Sequence, residues 1–227
     1  MATARGRPTE RPFVQVNCAT SADGRLAFAR GRRALLSGPR DLARVQGLRA
    51  DSEAILVGVG TVLADDPSLR VHWDLLGRPP GREPLRVVLD SHGRTPATAR
   101  VLDALSRTVV VTDADCRREF AAPVETERIP GGPFNVPEVL KALGRRGVHR
   151  VLVEGGAHVI ASFLRERAVD RMTVFMAPTL IGGATAPPLM SGPETADESG
   201  SVPLRLESVE RLDEGLLITW TPVRRSR

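Results

Sequence analysis

The sequence predicts an α/β fold with a mostly parallel central sheet that ends in an antiparallel hairpin. Three observations predict it. Short apolar runs of strand length alternate with stretches of helical periodicity, and such alternation implies parallel strands covered on both faces. Near the end of the chain, residues 204–211 and 216–221 flank Asp213-Glu214-Gly215, a tight-turn signal between two strands. No Pro/Gly/Ser-rich linker divides the chain and no internal repeat is visible. Residues 12–223 therefore read as a single domain, and the Arg-, Thr- and Pro-rich residues 1–11 as a flexible tail.

The elements follow in order. Residues 13–19, preceded by Pro12, form an apolar strand. Residues 39–50 begin with a proline suited to a first helical turn and place Leu42, Val45 and Leu48 along one face. Residues 53–59 read as a buried strand that runs into Gly58-Val59-Gly60-Thr61. Two glycines there permit a tight turn or a close approach to a ligand, and Thr61 stands where a helix N-cap would stand. Asp65, Asp66 and Pro67 close that unit. Residues 85–90 and 108–112 are two more strands. A helix is expected over 136–146, a strand over 150–153 running into Glu154-Gly155-Gly156, a helix over 157–167 and a strand over 171–177. Residues 71–84 and 180–202 are Gly/Pro-rich loops, the first of which follows the acid pair directly.

Composition narrows the function. The 227 residues are 41% hydrophobic and 26% charged, a globular mixture. No run approaches the ~18 apolar residues of a membrane helix, and the N-terminus lacks the apolar core of a secretory signal. No membrane partner is expected. Cys18 and Cys116 stand alone without a CxxC, which fits a reducing, cytoplasmic setting. The net charge is +5 and Lys141 is the only lysine. The arginines are scattered apart from Arg30 to Arg33 and Arg224-Arg225, and tyrosine is absent. A nucleic-acid surface would want a basic stripe interleaved with aromatics, so no nucleic-acid partner is expected. His72, His92, His149 and His158 lack metal-ligand spacing, so no metal is expected. There is no GxSxG elbow.

In open α/β sheets, ligands bind outside the carboxyl ends of the strands. Three strand ends carry suggestive residues: Gly58 to Asp66, Asp90-Ser91-His92-Gly93-Arg94, and Glu154-Gly155-Gly156-Ala157-His158. A glycine pair opening a helix lets a pyrophosphate rest on free backbone N–H groups, although such pairs also occur as plain turns. The GxGxxG dinucleotide fingerprint is missing, since Leu63 stands where its third glycine would fall. Asp90 reads as a turn cap. Ser91 and Arg94 offer a hydroxyl and a guanidinium suited to the 2′-phosphate of NADPH.

The segment GVGTVLADDPSLRVH resembles the signature of the pyrimidine reductases of riboflavin biosynthesis. RPFVQVNCATSADGRLA, LSGPRDLARVQGLRADSEAILVG, RVVLDSHGRTP, VLVEGGA, VDRMTVFMAPTLIGG and RLDEGL resemble further blocks of that family in the same order. The resemblance spans nearly the whole chain and is closest to the stand-alone reductases, which lack a fused deaminase. It implies a dihydrofolate-reductase-like fold and an oxidoreductase. The implied reaction reduces the ribosylamino group of 2,5-diamino-6-(5-phosphoribosylamino)pyrimidin-4(3H)-one with NADPH, NADH staying open. Hydride would reach an imine at the ribose C1′, which requires the two reacting carbons within about 3–3.5 Å.

Carried over position by position, the resemblance implies that Thr61 and Asp65 contact the nicotinamide cofactor, with Asp65 near the reacting centre. Ser91, His92, Gly93 and Arg94 match the adenosine end, and Gly155, Gly156, Ala157 and His158 the pyrophosphate turn. Arg49, Leu69, His72 and Glu154 match substrate positions, and Arg33 falls near another. Asp65 and Glu154 are the candidate catalytic carboxylates, able to assist ring opening or stabilise positive charge. The sequence departs from the fused enzymes in two places. Leu35-Leu36-Ser37 stands where they often carry Trp-Ile-Thr/Ser, and His72 stands where they carry Arg. The family also implies a homodimer, for which the apolar stretch from Val174 to Leu180 is a candidate interface or else core. Competing readings are a reductase of the deaminated pyrimidine or of a dihydrofolate or pterin, a basic nucleic-acid-binding module, and a cofactor-binding remnant without turnover.

Overall fold

A computed structural model describes residues 11–29, 32–193 and 197–223. Residues 1–10, Arg30 and Arg224-Arg225 lie outside the described residues, while Arg11 is anchored by a bidentate pair with Asp170 at 2.9 Å.

Nine strands form one sheet: β1 (Phe13–Ser21), β2 (Ala54–Gly58), β3 (Leu85–Leu89), β4 (Thr108–Asp113), β5 (Glu125–Ile129), β6 (Arg150–Gly155), β7 (Arg171–Ala177), β8 (Leu204–Leu212) and β9 (Gly215–Pro222). Their spatial order is β5-β4-β3-β2-β6-β1-β7-β9-β8. The first seven in that order are parallel, and β7-β9-β8 pair antiparallel. This is the expected mostly parallel sheet with a closing hairpin. The chain leaves β1 for β2, walks outward to β5 and returns with β6 between β2 and β1. That reversal opens a crevice at the carboxyl ends of β1, β2 and β6.

Four helices pack on the sheet: α1 (Pro39–Ala50), α2 (Val59–Asp65), α3 (Val136–Arg145) and α4 (Ala157–Arg165). On one face, α3 and α4 bury Val139, Leu140, Leu143, Ile160 and Phe163 against Val14, Val16, Val151 and Val153. On the other, Val59 and Val62 of α2 meet Ile55, Val57, Val88 and Val110. Alternate residues of each strand supply the two faces, as the pleat requires.

Two local expectations are corrected, and one strand has no counterpart among the expected elements. The segment after β2 is a helix, not only a turn, and Gly58 rather than Thr61 is its N-cap. The predicted apolar face of α1 is not its buried face. Leu42 is exposed, while Asp41 and Gln46 are buried. The reason is polar: Arg44 bridges Asp41 and Asn17, and Asn17 accepts a hydrogen bond from Thr173, so α1 sits on the hydrophilic side of β1. Finally, β5 carries the sequence ETERI and gives no apolar signal. It is an edge strand held by ion pairs from Arg107 and Arg146 to Glu125 and from Arg145 and Arg146 to Glu127. The parallel crossovers from β3 to β5 accordingly run through loops and a short 3₁₀ turn, not α-helices. No helix among the described residues is long and apolar enough to cross a membrane.

Candidate active site

A cavity of about 740 Å³ opens at the crevice, within the range of about 300–1,000 Å³ usual for ligand sites. Two helix starts form its floor. Gly58 and Gly156 are the N-caps of α2 and α4, and neither helix has a side-chain cap. The two starts interlock: a side-chain carbon at Gly58 would fall 2.8 Å from Val159 Cγ2, and one at Gly156 would fall 3.3 Å from Thr61 Oγ1. A Cβ at Gly58 would collide with Val159, and one at Gly156 would crowd the Thr61 hydroxyl. The uncapped first-turn amides of α4 are left for a ligand to satisfy. The Gly155–Gly156 peptide is cis. Thr61, in the first turn of α2, lines the cavity with Gly156, Ala157 and His158.

Asp65 and Glu154 line the same cavity in different settings. Asp65 accepts no hydrogen bond among the described residues. Partial burial raises its carboxyl pKa above the ordinary 3.8, against the opposing pull of the Arg33 charge. Arg33 lines the cavity too. Glu154 is held rigidly. Arg49 donates from Nε to Oε1 and from Nη2 to Oε2, both at 2.7 Å, and from Nη1 to the Arg70 carbonyl at 2.9 Å. Such a two-pronged guanidinium–carboxylate pair fixes orientation as well as charge. Arg49 is itself mostly buried. Desolvation works against its charge, but Glu154 more than compensates and its pKa rises.

The end of β3 supplies the third wall. Ser91 and Arg94 line the cavity, as expected. Asp90 is the turn cap that the sequence suggested: fully buried, its Oδ2 accepts from the Thr95 amide and hydroxyl, each at 2.7 Å. His92 and Gly93 do not reach the cavity. His92 is exposed and faces Asp113 at 3.7 Å, and Gly93 packs under the Arg118 side chain.

Other expected residues also stand off. Gly155 does not line the cavity. Arg49 stands behind Glu154 as its support. Leu69 is buried in the apolar cluster of β2, β3 and α2. His72 is exposed, with its amide donating to Gln46 Oε1 at 2.9 Å. Of the candidate interface, Val174, Phe175 and Ala177 are core, and Leu180 is exposed.

Two contributors escaped the sequence reading. Phe134 lines the cavity from a loop with no periodicity to mark it, whereas Leu35, at the departure from the fused enzymes, lines it together with Leu36. Asp23, in the S-x-D-G turn after β1, accepts hydrogen bonds from Ser21 Oγ and from the amides of Ile181 and Gly182. Those donors hold its pKa down to about 2. The clasp ties the turn after β1 to the 180–190 loop, where Leu26 donates to the Pro187 carbonyl at the cavity rim.

Residues 12–218 match the family model described as the RibD C-terminal domain. The chain is 38% identical over 218 residues to the 2,5-diamino-6-ribosylamino-4(3H)-pyrimidinone 5′-phosphate reductase of Archaeoglobus fulgidus, covering 92% of this chain and 97% of that protein. It superposes with a TM-score of 0.82 on the Thermotoga maritima diaminohydroxyphosphoribosylaminopyrimidine deaminase/5-amino-6-(5-phosphoribosylamino)uracil reductase, at 30% identity over 94% of this chain and 57% of that one. Enterococcus faecalis dihydrofolate reductase shares the fold at a TM-score of 0.51 and 15% identity, over 92% of this chain and 96% of that one.

Proposed function

Because this chain belongs to the RibD C-terminal domain family, we propose that it is the riboflavin-pathway reductase that reduces the ribosylamino group of 2,5-diamino-6-(5-phosphoribosylamino)pyrimidin-4(3H)-one, with NADPH as reductant. The observation that carries the reading is the meeting of the ends of β2, β3 and β6 in one cavity, with an Asp and a Glu on its walls. When bound, NADPH supplies the hydride. The chain's residues position and polarise. The free amides of α4 and His158 suit the pyrophosphate, and Ser91 with Arg94 suits the 2′-phosphate. Arg33 suits the substrate phosphate.

The two carboxylates divide the work. Glu154, both oxygens held by Arg49, is a fixed acceptor for pyrimidine N–H donors. Asp65 has the raised pKa and is the group suited to hold or release a proton as the ribosylamine ring opens. The test is to mix the protein with NADPH or NADH and with each pyrimidine, amino or deaminated, and to follow loss of reduced-cofactor absorbance and product mass. Turnover of the diamino substrate with NADPH is expected. Turnover only of the deaminated pyrimidine, or only of dihydrofolate, would replace this substrate.

The reading extends to a cytoplasmic homodimer. Its support is the hairpin. Leu204, Leu206 and Val209 of β8 pair with Pro222, Trp220 and Ile218 of β9 and so share one apolar face. Leu204, Leu206 and Val209 are 40–56% exposed on that face, a patch that suits a second copy. Sedimentation of the wild type and of a Leu206→Glu, Val209→Glu variant tests it, with loss of the dimer in the variant expected.

A further inference from the structure

Residues 70–73 form no regular structure until Trp73 opens a 3₁₀ turn (Trp73–Leu76), yet a side chain grips each of them or is gripped from it. Arg49 Nη1 donates to the Arg70 carbonyl at 2.9 Å, and the His72 amide donates to Gln46 Oε1 at 2.9 Å. Glu83 takes the other two. Its Oε2 accepts from the Val71 amide at 3.0 Å and its Oε1 from Trp73 Nε1 at 2.8 Å. A side-chain carbon at Gly81 would fall 2.9 Å from Trp73 Cη2, so the returning chain lies against the indole. Glu83 is half-buried and spends both oxygens on this one segment. Bonds to an ionised acceptor are the strong ones, so the clamp is stiff.

What the clamp holds is the support of Glu154. The Arg49 guanidinium gives two donors to Glu154 and a third to the Arg70 carbonyl. The group is planar, so a carbonyl fixed on Nη1 sets the tilt of the whole fork and of the carboxylate paired with it. Against desolvation, the Glu154 charge and then the Glu83 charge hold Arg49 protonated. Contacts therefore run from Glu83 through the 71–73 backbone to the Arg70 carbonyl, Arg49 and Glu154. Of these, Glu154 alone lines the cavity.

We propose that Glu83 is a positioning residue for the pyrimidine: by pinning residues 71–73 it sets the Arg70 carbonyl against Arg49, and so the angle at which Glu154 meets the substrate. The inference rests on Glu154 being the acceptor for the pyrimidine N–H donors. The test compares steady-state kinetics of wild type, Glu83→Ala, Glu83→Gln, Trp73→Phe and Glu154→Gln, and of Arg49→Met with and without Glu83→Ala. Glu83→Ala should raise KM for the pyrimidine about tenfold. Its KM for NADPH and its kcat at saturating pyrimidine should stay within about twofold, as for lost uniform binding. Glu83→Gln, which keeps one acceptor at the same reach, and Trp73→Phe, which removes one donor and tests the clamp even if Glu83→Ala does not fold, should each raise the pyrimidine KM about threefold. In the Arg49→Met background Glu83→Ala should add less than twofold, because its route to Glu154 is already cut. Unchanged pyrimidine KM in Glu83→Ala and Trp73→Phe, an equal rise in both KM values, or full additivity with Arg49→Met overturns the assignment. An unchanged pyrimidine KM in Glu154→Gln overturns the Glu154 reading as well, whereas a rise there alone leaves that reading standing without Glu83.

Discussion

Arg86 is fully buried and Arg49 mostly so, and the two guanidinium groups serve the molecule differently. Arg86, at the start of β3, is fully buried and spends its donors inside the scaffold. It donates to Thr108 Oγ1 at 2.8 Å, to Asp103 Oδ1 at 2.7 Å, to the Ser106 carbonyl at 2.6 Å and to the Asp103 carbonyl. It stitches the loop between β3 and β4 to the sheet. Arg49 makes an equally tight pair, but its partner Glu154 lies on the cavity wall. A charge network closed on itself is structure. A network whose carboxylate borders a cavity holds a functional group in place, so damage to it should register in chemistry as well as in stability.

The sharpest break of that contrast is Arg86→Met. It strands the Asp103 and Ser106 carbonyls and the half-buried Asp103 carboxylate and is expected to cost about 2–4 kcal/mol, read by urea denaturation, with kcat per folded molecule unchanged. A fall in kcat would join the two regions. Arg49→Met should cost a comparable amount, because it leaves Glu154 without its counter-charge, and should in addition raise KM for the pyrimidine. An effect on stability alone would make Arg49 a second Arg86.

Asp65→Asn separates chemistry from scaffold most cleanly. With Asp65 in the proposed role of proton handler, its loss is expected to lower kcat by about 10²–10⁴-fold. The expected stability effect runs the other way. Because the folded pKa lies above 3.8, the stabilising preference is for the protonated form. It is present below pH 3.8 and lost as pH rises through the folded value. At neutral pH the Asn variant should therefore melt at or above the wild-type temperature, with the advantage shrinking as the pH approaches 3.8. Near-normal turnover would remove Asp65 from the reaction. At the small end, Cys18 lines the cavity yet burial pushes its thiol up to about 12. The native protein should leave Cys18 unmodified by a disulfide reagent at pH 8, and rapid labelling would show the cavity floor to be wetter than its packing implies.

The fold was legible because its signals are local. Runs such as LRVVL and TVVVT have few alternatives to buried strands, and Gly-Gly after VLVE marks a strand end. The edge strand β5 was not, because ion pairs rather than apolar residues hold it. The wrong face of α1 has the same origin: Asp41, Arg44 and Asn17 form a buried polar contact that hydrophobic periodicity cannot register. Strand ends are predictable places for ligands, and Thr61, Asp65, Ser91, Arg94 and Glu154, picked out there in the sequence, all line the cavity. Phe134 and the Asp23 clasp depend on contacts between loops far apart in sequence, and spacing does not encode these. Leu69 and His72 follow the right motif yet fold away from the cavity, since the turn after α2 buries the first and exposes the second.

The turn between β8 and β9 carries one more consequence. Helix α1 starts at Gly38-Pro39 with no cap of its own, and its amides at Arg40 and Asp41 donate instead to Asp213. The two partners are 172–173 residues apart. During synthesis, α1 and the cavity segment that leads into it must wait for nearly the whole chain before their anchor exists. The first helix to leave the ribosome is among the last to be secured. Asp213→Ala, a loss of about 1 kcal/mol by ordinary capping energetics, should therefore show its effect mainly as slower refolding of the cavity wall, measured by recovery of activity against recovery of sheet signal.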